Sequence, residues 1–159
     1  MAVQCMAFVD RRIGIHVTQI NRSALVHYSC EKMFALINDI EKYPQFMDGC
    51  IEAKVLQLGE NWLEARLTLA KAGIQHSFIT RNQLRGPYEM TMTLVEGPFK
   101  KLVGQWQFHA LSEEACKVSL VLSFEFKSRL LAMAAGKWFE LMANKQVDAL
   151  CKRAKQVYG

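Results

Sequence analysis

The sequence predicts an α+β domain in which a curved antiparallel sheet of seven strands wraps around one long C-terminal helix. Three observations carry that expectation. From Cys50 to Lys127 the apolar residues recur with a period of two, the mark of strands with one face on a core and one in water. From Ser128 to Tyr158 the period is 3.6, the mark of a helix. Between them and the first strand lie two short helical segments, the second stopped by Pro44.

The elements follow in order. Residues 1–16 show no sustained period and read as a loose tail. A domain of residues 17–159 follows, and Val17 suits an alternative translation start. "TQINRSALVHY" reads as the first strand and "SCEKMFALIND" as a helix capped by Ser29. In "DIEKYPQF", Asp39 reads as a cap. Six strands come next: "CIEAKVLQL", "NWLEARLTLA", "IQHSFITRNQL", "YEMTMTLV", "KLVGQWQFHA" and "CKVSLVLSFEFK". Gly- and Pro-rich separators such as "KAG", "RGP" and "EGPFK" supply the turns. Ser128 is placed to cap the last helix, and Gly136 inside it reads as a kink, a site of close approach or a tolerated defect. An antiparallel sheet cannot leave its apolar face in water, and this helix is the one large element able to cover it.

Composition narrows the class. With 159 residues and 51% apolar residues, one domain can build a core without a staple. The longest apolar stretch, "LLAMAAGKWFELMA", is shorter than the roughly 20 residues of a membrane span. The N-terminus lacks the pattern of a secretory signal. Five widely spaced cysteines and no signal suit free thiols in a reducing cytoplasm. Without clustered Cys and His no metal site is expected, and no cofactor motif or DNA-binding pattern stands out. The net charge of +5 permits attraction to phosphate, though the lysines and arginines are dispersed.

Catalysis finds no support. There is no G-x-S-x-G, P-loop, G-x-G-x-x-G or H-E-x-x-H. His76 is read as structural and Glu125 as outward-facing. Glu64 and Arg66 are read as a solvated pair on one strand face. A cavity is expected instead, where the concave sheet, the first half of the last helix and the turn "EKYPQFMDGC" fail to close. Met90, Met92, Trp106, Phe124, Met133, Trp138 and Met142 suit its lining. The same residues suit a packed core.

"SALVHYSCEKMFALINDIEKYPQFMDGC", "LTLAKAGIQHSFITRN", "LVEGPFKKLVGQWQF" and "LSFEFKSRLL" together resemble the RatA and coenzyme Q-binding protein family of the START-like, polyketide-cyclase superfamily. The resemblance runs from about Val17 to Tyr158 and implies the helix-grip fold. It implies two functions: holding ubiquinone or a similar polyisoprenoid lipid without catalysis, in support of respiration, and binding the large ribosomal subunit so that subunits do not associate. Peripheral contact with the inner membrane belongs to the first. The family's "YPxF" turn maps onto Tyr43, Pro44 and Phe46; Met47 and Asp48 stand where many relatives have Leu-Pro. Tyr43, Phe46 and Met47 are then expected at one lip of the cavity. For ribosomal RNA the candidates are Lys71, Arg81, Lys100, Lys101, Arg129 and Lys137.

Overall fold

The computed structural model describes residues 17–159; the tail expected over residues 1–16 lies outside them. Seven strands form one antiparallel sheet: β1 (Thr18–Val26), β2 (Cys50–Leu58), β3 (Trp62–Lys71), β4 (Ile74–Arg85), β5 (Glu89–Glu96), β6 (Phe99–Ser112) and β7 (Ala115–Phe126). Their spatial order is β1-β7-β6-β5-β4-β3-β2, so β1 and β2 are edges and the sheet does not close. Hairpins join β2 through β7 in sequence. The one long connection, from β1 to β2, carries α1 (Cys30–Asn38) and a 3-10 turn (Ile40–Gln45).

Alternation along β7 is complete. Cys116, Val118, Leu120, Leu122 and Phe124 are buried, and the residues between them are not. These side chains and their neighbours on β6 (Leu102, Trp106 and Phe108) form the concave face. Five shifts in register interrupt the ladders, among them one between Ile79 and Thr80 on β4 and one between Phe99 and Lys101 on β6. Such shifts add twist locally. At Gly97, between β5 and β6, φ is +153° and a Cβ would stand 2.6 Å from that of Phe78. Only glycine lets this turn pass so close beneath β4.

Both expected serine caps form. The Ser29 hydroxyl accepts from Lys32 N at 3.2 Å and that of Ser128 from Leu131 N at 3.1 Å. Asp39 precedes the 3-10 turn but makes no side-chain cap bond. The C-terminal helix is not continuous. α2 (Arg129–Asn144) ends and α3 (Gln146–Tyr158) begins on either side of Lys145. Gly136 lies inside an unbroken α2. The break has side-chain causes. Asn144 Nδ2 donates back to Glu140 O, while Arg22 Nε of β1 donates to Asn144 Oδ1. Gln146 Nε2 donates to Met142 O, a carbonyl that also accepts from Lys145 N. Side chains bonding to the helix backbone in this way compete with its regular ladder.

Each helix has its own anchor. α2 inserts Phe139 into a ring of aromatics, 4.6 Å from Phe124, 5.0 Å from Phe99 and 6.3 Å from Phe78, centroid to centroid. α3 buries Val147, Leu150 and Ala154, and Tyr158 Oη donates to Lys32 O of α1 at 2.9 Å.

Candidate functional site: an apolar cavity under the helix break

The concave sheet and the helices leave a cavity of about 100 Å³. Tyr43 and Met47 wall it from the turn after α1. The floor comes from Ala65, Leu67 and Leu69 of β3, Phe78, Thr80 and Asn82 of β4, Met92 of β5, and Leu102 and Trp106 of β6. Phe139, Met142, Ala143 and Gln146 close it from above, at the junction of α2 and α3. A second void of about 10 Å³, lined among others by His76, Phe126 and Trp138, lies beyond a partition of Leu69, Phe78 and Phe139 that borders both.

Of the ten residues expected at the ligand, Tyr43, Met47, Met92, Trp106 and Met142 line the main cavity. Trp138 lines the small one. Met90 and Phe124 are fully buried behind the walls. Phe46 stands beside the lip: its ring lies 5.7 Å from that of Tyr43, beneath the Arg153 guanidinium at 5.4 Å. Met133 is on the outside of α2, 84% exposed. The two lips touch. At Gly49, where φ is +83°, a Cβ would meet Met142 Sδ at 2.9 Å and lie 3.8 Å from Trp138. Arg153 Nη2 also donates to Gln45 at 2.9 Å, tying α3 to the same turn.

Thr80, Asn82 and Gln146 are polar members of the wall that the expected lining omitted. Phe78, Thr80 and Asn82 alternate inward along β4, so a period-two reading carried through "FITRN" would have found two of them. The Thr80 hydroxyl donates to Asn82 Oδ1 at 2.8 Å, and Asn82 Nδ2 points to Met90 Sδ at 3.7 Å. The Tyr43 hydroxyl donates to Ile37 O, and burial raises its pKa well above the usual phenol range, so it is neutral. Burial likewise pushes the Cys50 thiol up to about 11. It pushes Cys116 up to about 12, with Cys30 adding to the shift. Folding therefore holds these thiol protons more tightly than the unfolded chain, whose thiols titrate near 9.0. Their stabilising contribution is complete below pH 9 and is lost as pH rises toward 12. Melting curves at pH 8 and pH 10.5 are expected to show the lower melting temperature at pH 10.5.

The basic candidates are outward. Lys71, Lys101, Arg129 and Lys137 are exposed. The register shift between Phe99 and Lys101 turns both Lys100 and Lys101 to solvent, and Lys100 Nζ stands 3.8 Å from Glu125. Arg81 is engaged: it bonds Glu64 at 2.8 and 3.0 Å and stacks on Trp62 at 4.4 Å. Glu64 pairs across strands with Arg81, and Arg66 with Glu52 at 3.6 Å. Among the described residues no group of three or more His, Cys, Asp or Glu converges as a metal site would require, and no helix is long and apolar enough to cross a membrane.

The family described as polyketide cyclase / dehydrase and lipid transport matches residues 26–151. A ribosome association toxin RatA from Vibrio cholerae is 48% identical over 141 residues, covering 89% of this chain and 98% of that protein. The RatA of Escherichia coli K12 is 45% identical over 145 residues, covering 91% and 92%. A coenzyme Q-binding protein COQ10 homolog B from Xenopus laevis is 24% identical over 151 residues, 92% of this chain and 62% of that one. In fold, the Zhui aromatase/cyclase of a Streptomyces superposes with a TM-score of 0.76 at 16% identity, covering 89% of this chain and 95% of that one. The chain therefore belongs to the polyketide cyclase / dehydrase and lipid transport family, among the RatA proteins, and has the START-like helix-grip fold.

Proposed function

We propose that the chain is a non-catalytic carrier that holds the ring of a polyisoprenoid quinone, such as ubiquinone, in the cavity beneath the helix break. The observation that supports this most is the cavity itself: apolar walls with a few polar atoms, beneath a lip that already carries two aromatics. Its size limits what enters. Pockets for drug-sized ligands run to about 300–1,000 Å³, whereas an apolar void of about 150 Å³ accepts benzene. About 100 Å³ suits a single ring after slight widening. A prenyl tail must leave through the lips, by parting Gly49 from Met142, or press on Phe78 and Phe139 toward the smaller void. No nucleophile–base pair faces the cavity among the described residues, which favours binding over turnover.

The outer face of α2 suits delivery from a bilayer. Leu130, Met133 and Leu141 are 77%, 84% and 49% exposed, fall on one side of the helix, and have Arg129 and Lys137 beside them, a pattern that favours an anionic lipid surface. Native mass spectrometry of protein purified from its own host is expected to show a co-purified prenylquinone, and a short-chain quinone is expected to quench Trp106 fluorescence saturably. Lipid-free protein with no saturable quenching overturns the reading.

A second reading, association with the large ribosomal subunit, is favoured by the names of the relatives at 45–48% identity and by the outward pair Lys100 and Lys101. Replacing both by glutamate is expected to weaken co-sedimentation with the large subunit about tenfold and to flatten its salt dependence, since each lost phosphate contact lowers the slope by nearly one. Sedimentation indifferent to both the charge reversal and salt removes this surface from the contact.

A further inference from the structure

We propose that the cavity recognises the hydroxyl of a hydroquinone in preference to the carbonyl of the quinone, and that Gln146 makes the distinction. The inference rests on the carrier reading above and names the redox state that the site selects.

Gln146 opens α3 directly after the break and lines the cavity. Its Nε2 donates to Met142 O at 3.0 Å. That contact sets the orientation of the amide, because turning it over would place Oε1 against a carbonyl oxygen, acceptor against acceptor. Oε1 is thereby left on the other side of the amide, where it is buried and bonded to nothing. A buried acceptor without a donor is costly, and a ligand that supplies the donor recovers that cost.

The rest of the wall points the same way. The protons on its hydroxyl and thiol groups are already committed to the protein: Tyr43 Oη to Ile37 O, Cys50 Sγ to Glu52 O, and Thr80 Oγ1 to Asn82 Oδ1. What these groups keep is acceptor capacity, in lone pairs on Thr80 and Tyr43. The second amide hydrogens of Asn82 and Gln146 are the spare donors. A quinone carbonyl presents lone pairs alone, so it can use a spare N–H but leaves Gln146 Oε1 unpaired. A hydroquinone O–H donates to Oε1, and its oxygen still accepts an N–H. The two forms have nearly the same shape, so the difference falls on this hydrogen bond rather than on fit.

Selective binding of the reduced form has a second consequence. Quinone takes up two electrons and two protons to become hydroquinone, and a protein that binds the product more tightly raises the midpoint potential of the bound couple. A tenfold preference corresponds to about +30 mV for two electrons.

The test is calorimetric titration, with oxygen excluded, of the full chain with a short-chain prenylated benzoquinone and with its chemically reduced form. Gln146→Met serves as the variant, since it keeps the length of the side chain, removes Oε1, and leaves Met142 O its bond from Lys145 N. The native protein is expected to bind the hydroquinone at least about tenfold tighter, with the bound couple shifted upward by about 30 mV or more. In the variant the ratio is expected to fall toward one. Equal affinities in the native protein with no shift in potential overturn the inference and leave the carrier reading standing, as does a preference that survives in a natively melting variant. Failure of both forms to bind native protein overturns the carrier reading itself. The potential of the native complex needs no variant, so the inference stays testable if Gln146→Met does not fold.

Discussion

Phe124→Ala is expected to cost about 3–5 kcal/mol, the usual range for a buried phenylalanine reduced to alanine, and to lower the melting temperature by roughly 6–20 °C for a chain of this size. Phe124 is 2% exposed. Its ring meets Phe139 at 4.6 Å, Phe126 at 5.9 Å and Phe99 at 6.1 Å, mostly edge to face. Removing it takes away the surface on which α2 rests, and the neighbouring aromatics cannot collapse into the space without leaving their own strands. Thermal unfolding beside a titration with a short-chain quinone separates two roles. A large drop in melting temperature with near-normal affinity below the transition is the expected result, because Phe124 stands behind the cavity wall. Normal melting with lost affinity would make it a ligand contact instead.

Ala65→Phe is expected to do the reverse: to lower affinity for the quinone at least about 100-fold while moving the melting temperature by less than about 5 °C. Ala65 is 2% exposed and lies on the cavity floor in β3. A ring carried on its Cβ enters the void that the ligand's ring would take. Enlarging a packed core costs about 1–3 kcal/mol, but here the added atoms meet empty space and recover contacts that the void forfeits. Unchanged affinity in a stable variant would place the ligand elsewhere. A melting temperature lowered as far as in Phe124→Ala would mean that the cavity is too narrow for a ring, and the carrier reading would then require a larger opening of α2.

The same apolar lettering covers both residues and Met133, yet their places differ. Alternation in "CKVSLVLSFEFK" suffices to turn Phe124 inward. It cannot say whether an inward side chain borders a void or another ring, because that depends on Phe139, which arrives from a helix in a different part of the chain. On α2 the apolar stripe is wider than one packed face, and periodicity alone does not tell the covered side from the open one. Met133 therefore reads as lining and stands in water. Gln146 reads as an ordinary polar residue inside a continuous helix. In space it is a wall residue at the break of that helix, next to an Asn144 that accepts from Arg22, 122 positions away.

Local order was legible from the residues themselves: seven strands, two short helical segments after the first, Ser29 and Ser128 as caps, a helical C-terminus, and a gap where one helix must cover a curved sheet. These follow from backbone periods of 2 and 3.6 and from capping chemistry, which act within a few residues. The tertiary structure alone decided the break at Lys145, the contact of Gly49 with Met142, the exposure of Met133 and the unpaired oxygen of Gln146. Each depends on where segments distant in sequence meet in space, and a void is the volume that no segment fills, so no single stretch of chain encodes it.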